Sequence, residues 1–147
     1  MDKNIRNAIA VLALAGFGAL IYSSYGKSPK LAKAPAAGAT TGRAIVEVEV
    51  PELKGKAVLG KMAFEAKCAS CHGENAVGQV GVAPPLVHQI YKPSHHGDMA
   101  FVMAARNGVR SHHWKFGDMP PVEGITDAEV GTIVAYIRTL QQANGIN

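Results

Sequence analysis

Cysteine is scarce in this chain, with two residues in 147. That excludes a disulfide-dense secreted scaffold and any four-cysteine metal site. Charged residues are also few, at 18%, against 48% hydrophobic residues, a balance that excludes disorder of the whole chain. Acidic residues are almost missing from residues 1–42, where Asp2 alone stands against Lys3, Arg6, Lys27, Lys30 and Lys33. Residues 43–147 carry ten Lys/Arg and ten Asp/Glu, so the formal charge of +4 lies wholly in the first third. A basic face for nucleic acid is therefore not indicated. All six histidines and both cysteines lie in the neutral part. The chemistry is expected there, in a chain long enough for one domain of ordinary size.

Charge is absent altogether from Asn7 to Gly26, whose core runs from Ala8 to Tyr22 in apolar residues. About 20 such residues in a helix span the hydrocarbon of a bilayer. Lys3 and Arg6 precede the stretch as in a secretory signal, but Tyr22-Ser-Ser-Tyr25 follows where a small-x-small cleavage site would be needed. The expected reading is an uncleaved signal anchor over residues 1–25, with a cleaved signal and a buried core helix as alternatives. Residues 26–43, rich in Ala, Gly, Pro, Ser, Thr and Lys, read as a linker. The functional domain is expected over residues 44–147. It opens with Ile45–Val50, where Val46, Val48 and Val50 alternate with Glu47 and Glu49. That period suits an extended arm on the domain or an edge that pairs with a partner.

The most informative stretch is Cys68-Ala69-Ser70-Cys71-His72. A C-x-x-C pair alone would admit a thioredoxin-like redox motif or half of a zinc site. There is no second cysteine pair, the other histidines lack H-x(3–5)-H spacing, and no βαβ pattern surrounds the motif. C-x-x-C-H is the attachment signature of haem c. Two thiols at this spacing can add to the two vinyl groups on one edge of a porphyrin, and the histidine can bind the iron. Covalent attachment also retains the cofactor in a domain too small to enclose it unaided.

Over about residues 56–142 the chain resembles the class I, monohaem c-type cytochromes of the membrane-anchored bacterial type. Gly60-Lys-Met-Ala-Phe64 resembles the G-x-x-x-aromatic of that family's first helix, and Ile133-Val-Ala-Tyr136-Ile-Arg138 resembles its last helix. Ala83-Pro84-Pro85-Leu86 resembles the turn whose proline carbonyl accepts a hydrogen bond from the proximal histidine, a role carried to Pro84 with Pro85 as its neighbour. The resemblance implies a mainly α fold around one haem, with His and Met as axial ligands. The helices also read without it. Thr126-Asp-Ala-Glu129 is a capping box, followed by an apolar stripe at Val130, Ile133, Val134, Ile137 and Leu140 that ends at Asn144-Gly145. Lys56–Lys67 places Leu59, Met62, Ala63 and Ala66 at helical spacing. A shorter helix is expected from Asp98, as N-cap, to Arg106.

For the sixth iron ligand, Met62, Met99 and Met103 stand on helices at core-like spacing, where packing accounts for them. Met119 stands in Phe116-Gly-Asp-Met-Pro-Pro121, where no helix can run and proline restricts both its own φ and the residue before it. It also matches the family's ligand loop, ahead of the last helix. Met119 is the expected distal ligand, with a histidine or an open position as alternatives. His/Met ligation raises the reduction potential and leaves no easy place for substrate, which points to electron transfer rather than an enzyme. Tyr91, Arg110 and Trp114 are candidates for the haem propionates.

His95-His96 and His112-His113 are unusual for so small a domain, and His88 adds a fifth. They suit solvated loops, a copper or zinc site if the two loops meet, or pH-dependent docking of a partner such as a copper protein. Adjacent residues on an extended chain point to opposite sides, which weakens the metal reading. The function these expectations compose is a membrane-tethered carrier of single electrons at the periplasmic face of a bacterial cytoplasmic membrane. Its expected partners are a quinol-oxidising complex and a terminal oxidase or reductase. A fixed subunit of such a complex, and a haem catalyst or gas sensor, are the competing readings.

Overall fold

The computed structural model describes residues 42–147. The expected anchor over 1–25 and nearly all of the linker lie outside them. Among the described residues, no helix is long and apolar enough to cross a membrane. The described chain is mainly helical and holds no strand, only isolated bridges. Its helices are α1 (Lys56–Lys67), α2 (Ala69–His72), α3 (Asp98–Asn107) and α4 (Asp127–Ala143), with 3-10 turns at Glu74–Ala76 and Gln89–Tyr91.

Helix α4 is the spine of this unit. Its first turn is closed by a reciprocal cap: the Thr126 hydroxyl accepts from the Glu129 N–H at 3.2 Å, and the Glu129 carboxylate accepts from the Thr126 N–H at 2.8 Å. Two orphan donors are satisfied at once. Val130, Ile133, Val134, Ile137 and Leu140 are all buried, so the stripe expected from the sequence is the face on which the rest of the domain packs.

Helix α1 crosses α4 through a contact that only glycine permits. A Cβ on Gly60 would lie 1.9 Å from the Thr132 carbonyl oxygen and 2.9 Å from the Tyr136 Cβ. One turn on, Phe64 meets Tyr136 with ring centroids 5.6 Å apart, and both side chains are fully buried. The face α1 buries is therefore Ala57, Gly60 and Phe64, not the one read from Leu59 and Met62, which are 59% and 64% exposed. Close approach of two backbones rewards small residues, so the larger apolar side chains are turned outward. Met99 on α3 is also exposed, and core packing accounts for neither Met62 nor Met99.

Helix α3 packs on α4 through Ala105, which is buried with Val130 and Val134. Its N-cap is Gly97 rather than Asp98, which is the first helical residue. The Asp98 carboxylate accepts from Arg138 Nε at 2.9 Å instead. The alternating segment 45–50 forms no strand. It lies along the domain, with the Ile45 and Val46 N–H groups both donating to the Val77 carbonyl and Val48 packed against the core. The Asn144 side chain both accepts from the Glu49 N–H and donates to its carbonyl.

Candidate functional site

The C-x-x-C-H segment sits where α1 ends. Cys68 closes α1, its N–H donating to the Phe64 carbonyl at 2.8 Å, and then starts the single turn of α2 by accepting from His72 N–H at 2.9 Å. The carbonyls left over at this junction are gathered by one side chain that gave no sequence signal: Gln79 Nε2 reaches the carbonyls of Ser70 at 2.9 Å and Cys71 at 3.1 Å. The motif is thus held from both ends and from the side.

His72 is buried, and its Nδ1 lies 2.9 Å from the Pro84 carbonyl oxygen. A carbonyl can only accept, so Nδ1 carries the proton and the lone pair is on Nε2. Burial pushes the imidazole below its ordinary pKa, against a smaller upward pull from the Pro84 bond. The ring is neutral and oriented, the state in which imidazole binds a metal. Pro85 is fully buried beside it and takes no such part. Burial, with the Cys71 thiol adjacent, pushes the Cys68 thiol up to about 11. Such a thiol is not the low-pKa nucleophile of a dithiol oxidoreductase.

Cys68, Cys71, His72 and Pro84 line a cavity of about 720 Å³ that Met119 and Trp114 also line. Ile133 and Ile137 of α4 line it as well. Met119 belongs to a loop pinched at its base, where Val109 and Met119 exchange two backbone hydrogen bonds of 2.9 Å. Gly108 makes the pinch possible: its φ is +74°, and a Cβ there would lie 2.5 Å from the Met119 carbonyl oxygen. Within the loop, the Asp118 carboxylate accepts from the Ser111 N–H at 2.8 Å and the Ser111 hydroxyl donates to the Trp114 carbonyl. Met103 lines the cavity too, from α3, whereas Met62 and Met99 do not.

Of the three residues expected near the cofactor's carboxylates, Tyr91 and Trp114 line the cavity and Arg110 does not. Arg110 is exposed, and its carbonyl holds His112 Nδ1 at 2.9 Å. Trp114 Nε1 is buried without a hydrogen-bond partner. Burial raises the Tyr91 hydroxyl above its ordinary pKa, with a smaller opposing pull from Trp114, though the indole closes no hydrogen bond with it. An orphaned buried donor in a cavity is costly unless something arrives to accept from it. A residue that the sequence reading placed on the last helix without giving it a role shapes this wall. Arg138 donates from Nη1 to the Tyr91 carbonyl at 2.6 Å and from Nη2 to the His96 carbonyl at 2.6 Å.

Paired thiols, a neutral imidazole, a thioether and an orphaned donor around one largely apolar space fit haem: thioether links, iron ligands and a propionate acceptor all have residues to meet them. The class defined by this site on a small helical frame is a covalent haem protein of the electron-transfer kind. The sequence model of the family described as cytochrome c matches residues 57–141, more than half the chain. The protein belongs to the cytochrome c family, whose domain carries a single covalently attached haem c. No curated protein matches the chain.

Proposed function

We propose that this cytochrome is a membrane-tethered carrier of single electrons, with its haem held by Cys68 and Cys71 and ligated by His72 and Met119. The observation that carries the reading is the pairing in one cavity of His72, locked by the Pro84 carbonyl, with Met119, locked by the Val109 bridge. When bound, the haem supplies reversible exchange of one electron between ferrous and ferric iron.

The chain's own residues tune and protect that exchange. The bond from His72 Nδ1–H to Pro84 raises the basicity of Nε2 and holds the ring in one tautomer. The Met119 thioether favours ferrous iron more than imidazole would, which raises the potential. Met103, on α3, is the rival sulfur in the same cavity. Trp114 Nε1–H and the Tyr91 hydroxyl are the donors for the haem carboxylates. With His72 and Met119 both holding the iron, exogenous ligands would have no ready place to bind, which supports electron transfer over catalysis. The apolar run from Ala8 to Tyr22 supports a tether that keeps the carrier at the periplasmic face of a bacterial cytoplasmic membrane. Confinement to that layer raises its effective concentration at a quinol-oxidising complex and a terminal oxidase or reductase.

The test is Met119→Ala beside Met103→Ala. The parent and Met103→Ala should resist carbon monoxide in the reduced state. Met119→Ala should keep its haem, bind carbon monoxide readily and show a lowered midpoint potential. A Met119→Ala protein with the parent's ferric spectrum and potential would overturn the ligand assignment.

A further inference from the structure

We propose that His95, His96 and His113 form a site for one imidazole-seeking divalent transition-metal ion, Zn2+ or Cu2+, at the rim of the haem cavity. The inference rests on the ligand set proposed above, in which neither His96 nor His113 binds the haem iron. One ring nitrogen from each of the three residues lies within 4.8 Å of the others. Ring centroids stand 4.7 Å apart for His95–His96, 5.4 Å for His95–His113 and 5.3 Å for His96–His113. Nitrogens on a tetrahedral zinc, bonded at about 2.0–2.1 Å, lie roughly 3.3 Å from one another. His95 and His113 are the exposed members of the set, so their rings are the ones with room to turn toward that spacing.

The objection that neighbouring residues face opposite ways does not apply to this backbone. The His95 and His96 N–H groups both donate to the Lys92 carbonyl, at 3.0 and 2.9 Å, so the pair sits on a turn that brings both rings to one side. That turn is fixed from beneath by Arg138, which donates to the His96 carbonyl and is itself paired with Asp98. His113 arrives from the pinched loop between Val109 and Met119. Two separately braced loops therefore deliver the three rings.

His96 is prepared as a ligand. Its Nδ1 lies 2.7 Å from the Ile90 carbonyl oxygen, so Nδ1–H donates and Nε2 keeps its lone pair. A backbone carbonyl on the far nitrogen is the usual support of a metal-bound histidine, fixing ring orientation and raising basicity. The fourth histidine, His112, lies tilted against His113 at 4.2 Å between centroids and has its own Nδ1 committed to the Arg110 carbonyl. Three neutral imidazoles suit zinc, copper and nickel and do not suit magnesium or calcium. His96 and His113 also line the haem cavity, so an ion held here borders that cavity.

The experiment is calorimetric titration of the untagged, haem-loaded protein with Zn2+ and with Cu2+, joined to zinc-edge X-ray absorption, which iron does not obscure. One ion per chain should bind, Cu2+ more tightly than Zn2+, and Mg2+ should give no saturable signal. Zinc should show a shell containing imidazole nitrogens at about 2.0–2.1 Å. His95→Ala and His113→Ala should each weaken binding more than tenfold, and His95→Ala should do so with the haem spectrum unchanged, because His95 is exposed and does not line the haem cavity. Absence of saturable binding, a zinc shell with fewer than two imidazoles, or undiminished binding in the double variant would each overturn the proposal.

Discussion

Replacing Gly60 by alanine should separate the two helices that frame the haem cavity. The added Cβ would lie 1.9 Å from the Thr132 carbonyl oxygen, while ordinary contact between carbon and oxygen is about 3.4 Å. A backbone carbonyl inside a helix cannot rotate aside, so α1 must retreat by about 1.5 Å or tilt. Retreat loosens the fully buried Phe64–Tyr136 contact. Overpacking of this kind costs about 1–3 kcal/mol, and a clash with backbone belongs at the upper end. Alanine regains about 1 kcal/mol of helix propensity over glycine, leaving a net loss of about 2 kcal/mol. For a domain of about 100 residues that lowers Tm by roughly 8 °C or more.

Gly131 supplies the matched control. It lies in α4, is exposed, and a Cβ there meets nothing within 4 Å. Gly131→Ala should therefore stabilise by about 1 kcal/mol through propensity alone. Thermal unfolding of both variants, followed by far-ultraviolet circular dichroism on the haem-loaded protein, measures the difference. Equal effects of the two substitutions, or a stabilised Gly60→Ala, would refute the close-approach argument.

Thr126→Ala should cost about 1 kcal/mol by uncapping α4, read as a lowered Tm. The Thr126 side chain and backbone hold the Glu129 carboxyl below its ordinary pKa; a depressed carboxyl stabilises the fold above its unfolded pKa and loses that contribution as pH falls through the folded one. The penalty of Thr126→Ala should therefore be full at neutral pH and shrink in acid, and a pH-independent penalty would count against the carboxylate's part. Arg138→Met should leave α4 helical but speed amide hydrogen exchange across residues 91–98, since it removes donors to the Tyr91 and His96 carbonyls. Cys68→Ala or Cys71→Ala should prevent attachment through two thioethers, seen as a changed intact mass or reduced-haem spectrum. Either variant with a normal two-thioether haem would show the attachment assignment to be wrong.

Local signals read well from this sequence, and contacts across the chain did not. The bounds of α1 and α4, the capping box at Thr126–Glu129 and the stripe from Val130 to Leu140 all follow from periodicity and end chemistry acting within a few residues. The face of α1 does not. Periodicity scores Leu59 and Met62 as core, whereas the decisive residue is Gly60, whose contribution is the absence of a side chain. Only the family resemblance pointed to Gly60, Phe64 and Tyr136 together. The roles of Gln79, Arg138 and Gln141 were invisible for a different reason. Their partners are backbone carbonyls fixed by tertiary folding, such as those of Leu86 and Tyr91 on Gln141 Nε2, and no local pattern announces a carbonyl. Asp98 satisfied the N-cap pattern, yet Arg138 claims its carboxylate from 40 positions away.

The histidines share one device, and the difference between its uses explains two kinds of metal chemistry in one small domain. In His72, His96 and His112 the Nδ1–H is committed to a backbone carbonyl, of Pro84, Ile90 and Arg110 respectively. Each ring is thereby fixed as a donor through Nε2. What differs is access to water. His72 is buried among the residues of the cavity, so a metal bound there exchanges neither ligand nor proton easily, as a permanent cofactor requires. His95 and His113, which complete the set around His96, are exposed, so an ion they bind can leave. His113 is also held below its ordinary pKa, chiefly by desolvation and then by the charges of His112, His96 and His95. Protons compete with a metal ion for imidazole nitrogen, so uptake at the rim should weaken as pH falls. The haem, secured by covalent links, should stay in place over the same range. Release of zinc on mild acidification with an unchanged haem spectrum is the expected result; simultaneous loss of both would mean that the rim and the haem cavity unfold as one.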